Sequence, residues 1–391
     1  MKVLIIVENL PVPFDRRVWQ EARALKNNGH SVSIICPAMK GYMNKYELID
    51  GIHIYRHPLP IEGSGVAGYM IEYSSALYYQ FILSFKIFLK TGFDVIHACN
   101  PPDNIFIIGV FFKFFFGKKF LFDHHDINPE LYLAKFQKKD LFYRLMLFLE
   151  KCTFKIADIS IATNESYKKI AIERGDMNPE SVFIVRSGPD LKRTKKMPEN
   201  IKWKKNKKFL VGYVGVMGAQ EGLDYLLKGI SFLVYRLKRN NIHFILVGGG
   251  TELESLKNMA KNLDIENYIT FTGRVPDETL MEILSTADVC VNPDVVNDMN
   301  DKSTMNKIME YMALGKPIVQ FEMTEGRFSA GDASLYAAPN NYKSLMEKII
   351  EILDNPEMGK RMGSHGRKRV VSQLQWDHEI PKLLEAYKAL E

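Results

Sequence analysis

The residues best suited to chemistry stand in one stretch, Lys302 to Val319, reading KSTMNKIMEYMALGKPIV. Its spacing predicts one helix and then one buried strand. Ser303 and Thr304 can cap the helix N-terminus. Ile308, Met309, Met312 and Ala313 fall on or beside one face. Gly315 can stop the helix, and Pro317 stands before Ile318 and Val319. A helix N-terminus offers unbonded N–H groups and a partial positive charge, which suits a phosphate. Glu310, one turn deeper and on the same face as Lys307, can accept hydrogen bonds from a pair of sugar hydroxyls. A phosphate site beside a hydroxyl-binding carboxylate fits a nucleotide sugar. A surface helix with a solvated Glu and Lys is the plain alternative.

Other segments carry weaker signals. Gly212, Gly215 and Gly218 in VGYVGVMGAQEG lie between a strand and a helix, where glycine lets backbone approach a phosphate. The spacing is not that of a dinucleotide fingerprint, and a tight turn would use the same residues. Gly248 to Gly250 is equally ambiguous. Arg274, in FTGRV, follows a strand and would point to the same side. FDHHDINP, Phe122 to Pro129, sits at the carboxyl end of a strand. Adjacent histidines in an extended segment point apart, which argues against zinc and for one positioned histidine. FDRRVW, Phe14 to Trp19, offers Asp15 as an N-cap and Arg16 or Arg17 for an acceptor phosphate.

The elements that position these residues alternate. Val3 to Val7 is a buried strand, Asp15 to Asn27 a helix closed by Gly29, and Val32 to Ile35 the next strand. Strands follow at Ile52 to Tyr55, Val95 to Ala98, Phe120 to Asp123, Ile159 to Thr163 and Val182 to Val185. A lysine-dense stretch, 192–208, interrupts the pattern and reads as a solvated linker. The alternation then restarts at Phe209 to Val214. The fold class is therefore α/β, with two doubly wound halves, 1–191 and 209–372, and a C-terminal helix at 373–391 able to pack back on the first. Ligands of such sheets bind beyond the strand carboxyl ends, so two halves facing each other would form a deep cleft.

A chain of 391 residues supports two full cores, and its net charge of +6 suits anionic ligands or an anionic membrane face without selecting either. The scattered Cys36, Cys99, Cys152 and Cys290 fit a reduced, cytoplasmic setting. The first apolar run meets Glu8 too early for a secretory signal, and no run is long enough to span a bilayer. Ala76 to Lys90 and Ile105 to Phe122 are rich in aromatics and carry lysines. Core packing and peripheral binding at a membrane surface are both open for them.

PVPFDRRVWQEARAL, FDHHDINPE, YVGVMGAQEGLDYLL, FTGRV and MNKIMEYMALGKPIV together resemble the retaining glycosyltransferases of family 4, or group 1, with the GT-B fold. The nearest resemblance is to enzymes of bacterial capsule, O-antigen and exopolysaccharide synthesis. It implies a nucleotide-sugar donor, uridine-linked, held by the second domain through Gly215, Met217, Gly218, Gln220, Arg274, Asp301, Lys302, Ser303, Met305, Asn306, Lys307 and Glu310. It implies an acceptor, lipid-linked or an oligosaccharide, held by the first domain near Asp15, Arg16 and Arg17. It further implies no cofactor, no obligatory metal and no nucleic-acid partner. The active-site histidine maps onto His125 rather than His124, with Glu310 as the ribose-binding carboxylate. The setting implied is the cytoplasmic face of a membrane.

Three positions depart from the family pattern. Lys302 stands where a first glutamate is usual, with Asp301 beside it as a substitute. Val216 and Glu221 stand where an Arg and a Lys usually neutralise the diphosphate. Pro11 to Asp15 replaces a Gly-Gly loop. A nucleotide-sugar epimerase or hydrolase on the same fold, or a non-catalytic subunit of a sugar-transfer complex, are the alternative functions.

Overall fold

A computed structural model describes residues 1–39, 41–59 and 65–391. The chain forms two compact units, one of residues 1–187 with 379–391, the other of residues 188–378.

In the first unit, eight strands form one sheet: β1 (Lys2–Val7), β2 (Ser31–Ala38), β3 (Tyr46–Ile49), β4 (Ile52–Pro58), β5 (Val95–Cys99), β6 (Lys119–His124), β7 (Ile159–Ala162) and β8 (Val182–Ile184). Their order is β3-β4-β2-β1-β5-β6-β7-β8, all parallel except β3, which runs antiparallel on β4. The central strands are buried along their length, as a sheet covered on both faces requires. β3 is an addition to the sequence reading: its residues are half exposed at an edge, so they carry no continuous apolar run. The helices are α1 (Arg16–Asn27), α2 (Gly65–Lys90), α3 (Phe106–Phe116), α4 (Asn128–Phe136), α5 (Leu141–Ile156) and α6 (Glu165–Glu173). Asp15 does cap α1, its carboxylate accepting from the Val18 amide at 3.1 Å.

The second unit has the six-stranded parallel order β11-β10-β9-β12-β13-β14, formed by β9 (Phe209–Val214), β10 (Ile242–Val247), β11 (Ile269–Gly273), β12 (Val289–Asn292), β13 (Ile318–Phe321) and β14 (Ser334–Ala337). Its helices are α7 (Leu223–Tyr235), α8 (Leu253–Asn262), α9 (Asp277–Thr286), α10 (Asp298–Lys302), α11 (Asn306–Ala313), α12 (Thr324–Ala330), α13 (Tyr342–Leu353) and α14 (Pro356–Arg369). One apolar cluster packs α7, α8 and α13 on one side of the sheet, and a second packs α9 and α11 on the other. The last helix, α15 (Ile380–Lys388), belongs to the first unit.

Two expectations change here. The stretch 192–208 is not a solvated linker. Leu191, Met197 and Trp203 pack on the second unit's core, and the Trp203 indole donates to Glu282 at 2.6 Å. Two apolar anchors among the lysines, Met197 and Trp203, with Leu191 just before them, dock it. Lys302 to Ala313 is also not one helix. The chain breaks after α10 and restarts at α11 with Met305 as N-cap and no side-chain cap. Ser303 instead donates back to the Met299 carbonyl, and so closes α10.

Among the described residues no helix is long and apolar enough to cross a membrane. α3 nevertheless leaves Phe114 and Phe115 exposed while Phe112 is buried.

Candidate functional site

α1 presents Arg17 and Glu21, one turn apart, on its buried face beside Val18 and Leu25. Arg17 lies over Asp123, the penultimate residue of β6. Its guanidinium makes a 2.9 Å ion pair with Asp123, a 3.1 Å pair with Glu21, and 3.0 Å hydrogen bonds to the Val185 carbonyl and the Ser187 hydroxyl. Asp123 also bonds His125 Nε2 and lies 3.3 Å from His97 Nε2. His97 Nδ1 meets the Tyr387 hydroxyl of α15 at 2.7 Å. A hydroxyl that donates to Nδ1 leaves the proton of His97 on Nε2, facing Asp123.

Burial opposes charge on Asp123, yet Arg17 and His125 hold its carboxyl well below the usual range. Burial pushes the Glu21 carboxyl well above its range, and the same desolvation lowers His97. The network therefore centres on one guanidinium and one carboxylate, with Glu21 and His97 pushed toward their neutral forms beside them. His125 is its partly exposed member, with 15 % of the side chain accessible. Asn100 fixes its backbone, the side-chain oxygen accepting from the His125 amide at 2.7 Å and the Asp126 amide at 3.1 Å.

Of the residues expected to meet an acceptor, only Arg16 is exposed at the surface. Arg17 is buried because its charge is matched by Asp123, and the Asp15 carboxylate caps α1. His124 points the other way, fully buried against Phe122, Phe154 and Tyr167. Burial drops its pKa to about 3 from an ordinary 6.5. Unfolded chains take up that proton below pH 6.5 while the folded one refuses it down to about 3, so this residue costs stability as pH falls through that window. Compared with wild type, His124→Phe should flatten the unfolding free energy against pH by about 1.4 kcal/mol per unit between pH 6 and pH 4. Urea titrations at three pH values measure it. Parallel profiles would place the His124 proton elsewhere.

In the second unit the loop after β9 carries Gly215, Met217, Gly218 and Gln220. Gly248, at φ +130, lies so close to the Gly215 carbonyl that a Cβ would sit 1.9 Å from it. The Met217 amide donates to Gly249 at 3.0 Å, and the Met217 side chain is buried in the core. Gly248 and Gly250 thus serve loop-on-loop packing, and the Met217 side chain is spent on the core. The Gln220 carbonyl accepts from the Val295 amide and the Asn300 side chain, tying this loop to the α10 region. Arg274 is exposed at the end of β11.

Around α11 the expected cations are already engaged. Lys307 makes 2.7 Å ion pairs with both Glu221 and Asp294. Burial disfavours its charge, but these carboxylates hold its pKa well above normal. Burial pushes Asp294 up to about 7. Lys302 pairs with Asp298 at 2.6 Å. Both oxygens of Asp301 accept from Thr324, at 2.7 and 2.9 Å, and so cap α12. Met305 is the N-cap of α11 and Asn306 its exposed first residue. Glu310 is partly exposed and accepts from Arg193 at 2.9 Å, while the same guanidinium meets Asp277 at 2.8 Å.

Two sets of candidate metal ligands, His97–Cys99–Asp123 and Glu21–Asp123–His125, have ligand atoms within 4.8 Å of one another. Both depend on Asp123, whose charge is already matched by Arg17.

Residues 15–193 match the Glycosyltransferase Family 4 model, and residues 195–369 match Glycosyl transferases group 1. The chain belongs to the family 4, group 1 glycosyltransferases. It is 28 % identical over 180 residues to an uncharacterized glycosyltransferase of Haemophilus influenzae, covering 45 % of this chain and 47 % of that protein. A second uncharacterized glycosyltransferase, from Methanocaldococcus jannaschii, is 20 % identical over 390 residues, covering 94 % of this chain and 92 % of its own. The fold is that of sucrose-phosphate synthase from Thermosynechococcus elongatus, with TM-score 0.82 and 18 % identity over 100 % of this chain and 99 % of that one. An Anabaena protein in complex with UDP-glucose superposes with TM-score 0.76 and 15 % identity over 100 % of both chains. These likenesses establish GT-B architecture.

This glycosyltransferase contains site neighbours that the sequence reading passed over. His97 was legible as a polar residue inside the all-buried strand VIHAC, and Glu21 as an acid within an apolar helix stripe four residues from Arg17. Asp294 follows a strand end, as active-site residues of this fold class do. Arg193 carried no signal, being one charge among many in a lysine-rich run.

Proposed function

We propose that the protein transfers a sugar from a nucleoside diphosphate sugar, uridine-linked, to an acceptor hydroxyl on a lipid-linked glycan, with retention of anomeric configuration. The observation that carries this is His125, partly exposed at the end of β6 and held there by a buried Asp123–Arg17 pair. A positioned imidazole of that kind can hydrogen-bond the donor sugar. The structural neighbour in complex with UDP-glucose supports the choice of donor. Glu310 binds the ribose. Arg274, exposed after β11, and the N-terminal amides of α11 neutralise the leaving diphosphate. The donor's own β-phosphate oxygen takes the acceptor proton. Neither metal nor cofactor enters this scheme, and Arg17 already supplies the cation beside Asp123.

Incubation with a panel of UDP- and GDP-sugars, with and without membrane lipid extract, tests the reading. UDP should be released from one UDP-sugar and only when the extract is present. Release without acceptor would instead mark a hydrolase or epimerase. Glu310→Gln should raise the donor Kd roughly tenfold to a hundredfold, because a hydrogen bond to a charged group is worth about 1.5–3 kcal/mol. Unchanged affinity by calorimetry would remove Glu310 from the ribose.

A further inference from the structure

The first unit contains a cavity of about 290 Å³ enclosed by α2, the turn at Pro102–Asn104, α4 and α5. Its wall is largely hydrocarbon: Leu131, Phe136, Phe142, Leu145, Met146 and Leu149. Leu145 both lines the cavity and is 40 % exposed, so the cavity reaches the surface there. Leu141 and Phe148 lie on the same stripe of α5, one turn to either side, and are 77 % and 62 % exposed. An amphipathic helix with its apolar stripe turned to water is costly unless something covers it.

The rim says what. Lys135, Lys138, Lys139, Arg144 and Lys151 are all exposed around this stripe, with Asp140 the exposed acid among them and Glu150 buried against Arg174. Lysine is depleted from protein–protein interfaces, whereas lysines beside apolar residues suit phosphate head groups over hydrocarbon. The cavity also reports to the site already described. Asp103 and Asn128 line it. Asn128 donates to Asp103 at 2.6 Å, Asp103 accepts from Asn100 at 2.9 Å, and Asn100 holds the His125 amide.

Resting on the glycosyltransferase reading, we propose that this cavity holds the hydrocarbon chain of a diphosphate-linked lipid acceptor, with the surrounding lysines on its anionic head. The acceptor, rather than bulk membrane lipid, is the occupant because the cavity wall is hydrogen-bonded through Asn100 to the segment that carries His125.

Calorimetry with farnesyl diphosphate below its micelle-forming concentration, and with inorganic diphosphate as the head-group control, tests it on the full chain. Wild type should bind the farnesyl compound at least about tenfold more tightly than diphosphate, a gain of about 1.4 kcal/mol. Met146→Trp, which fills the cavity, should abolish that difference. Leu145→Ser, at the exposed mouth and unable to disturb the core, should reduce it. Both variants should keep wild-type flotation on plain anionic phospholipid vesicles and wild-type UDP binding. Equal affinities for the two probes in wild type overturn the proposal. So does loss of vesicle flotation in Met146→Trp, which would assign the cavity to bulk lipid. UDP binding reads the donor site separately, so its loss in wild type would count against the transferase reading and not against the cavity.

Discussion

His125→Ala should lower kcat by about 10²- to 10³-fold, the range for removing one preorganised donor from a developing charge, while donor Kd stays within about threefold. The imidazole is held from one side by Asp123, and its amide by Asn100, so its geometry is set before substrate arrives. Interactions that strengthen only in the transition state appear in kcat. His124→Ala is the control. It should leave kcat per folded molecule intact and lower the melting temperature, because that ring fills space between Phe122, Phe154 and Tyr167. Steady-state turnover and donor titrations on both variants decide the matter. Turnover abolished in His124→Ala but kept in His125→Ala would show the register to be wrong by one residue.

Arg17→Ala should destabilise the protein by about 3–5 kcal/mol, the cost of leaving a buried charge without its partner. The charge left behind is Asp123, fully buried and kept ionised chiefly by this guanidinium against its own desolvation. Adding Asp123→Asn should recover part of the loss, since the double variant has no unpaired charge. Arg17→Lys keeps the charge but reaches fewer of the acceptors at Asp123, Val185 and Ser187, and should fall between. Urea unfolding of these four proteins and of Asp123→Asn alone measures the coupling. A loss under about 1 kcal/mol in Arg17→Ala, against the expectation for a broken buried pair, would mean that Asp123 is protonated in the fold.

Most of the fold was legible because parallel strands announce themselves as short apolar runs. Phe209–Val214 was placed to the residue. β3 and β14 were not, since a strand of four half-exposed or mixed residues has no pattern to read. His125 stands at the strand end where the sequence pattern put it, partly exposed beside Asp123. The pairings between side chains were not legible. Nothing in DKSTMNK shows that Asp301 will be spent on Thr324, or that Glu221 will meet Lys307 across 86 positions of sequence. Arg17 looked like a surface cation because a buried arginine is only permissible with a carboxylate from a distant strand, and that pairing is tertiary information.

The first unit is sewn shut by a segment that is synthesised only after the whole second unit. Residues 379–391 supply the Tyr387 hydroxyl to His97 and the Glu379 carboxylate to the Arg186 amide, and α15 lies against α1 and β8. About 190 residues of the second unit are translated in between, which at about 5–20 residues per second takes roughly ten to forty seconds. Throughout that interval the nascent first unit holds Arg17, Asp123 and His97 with one side uncovered. A ribosome that stalls before residue Glu379 would therefore release a chain whose second unit is whole and whose first is open, a ready substrate for the cell's proteases.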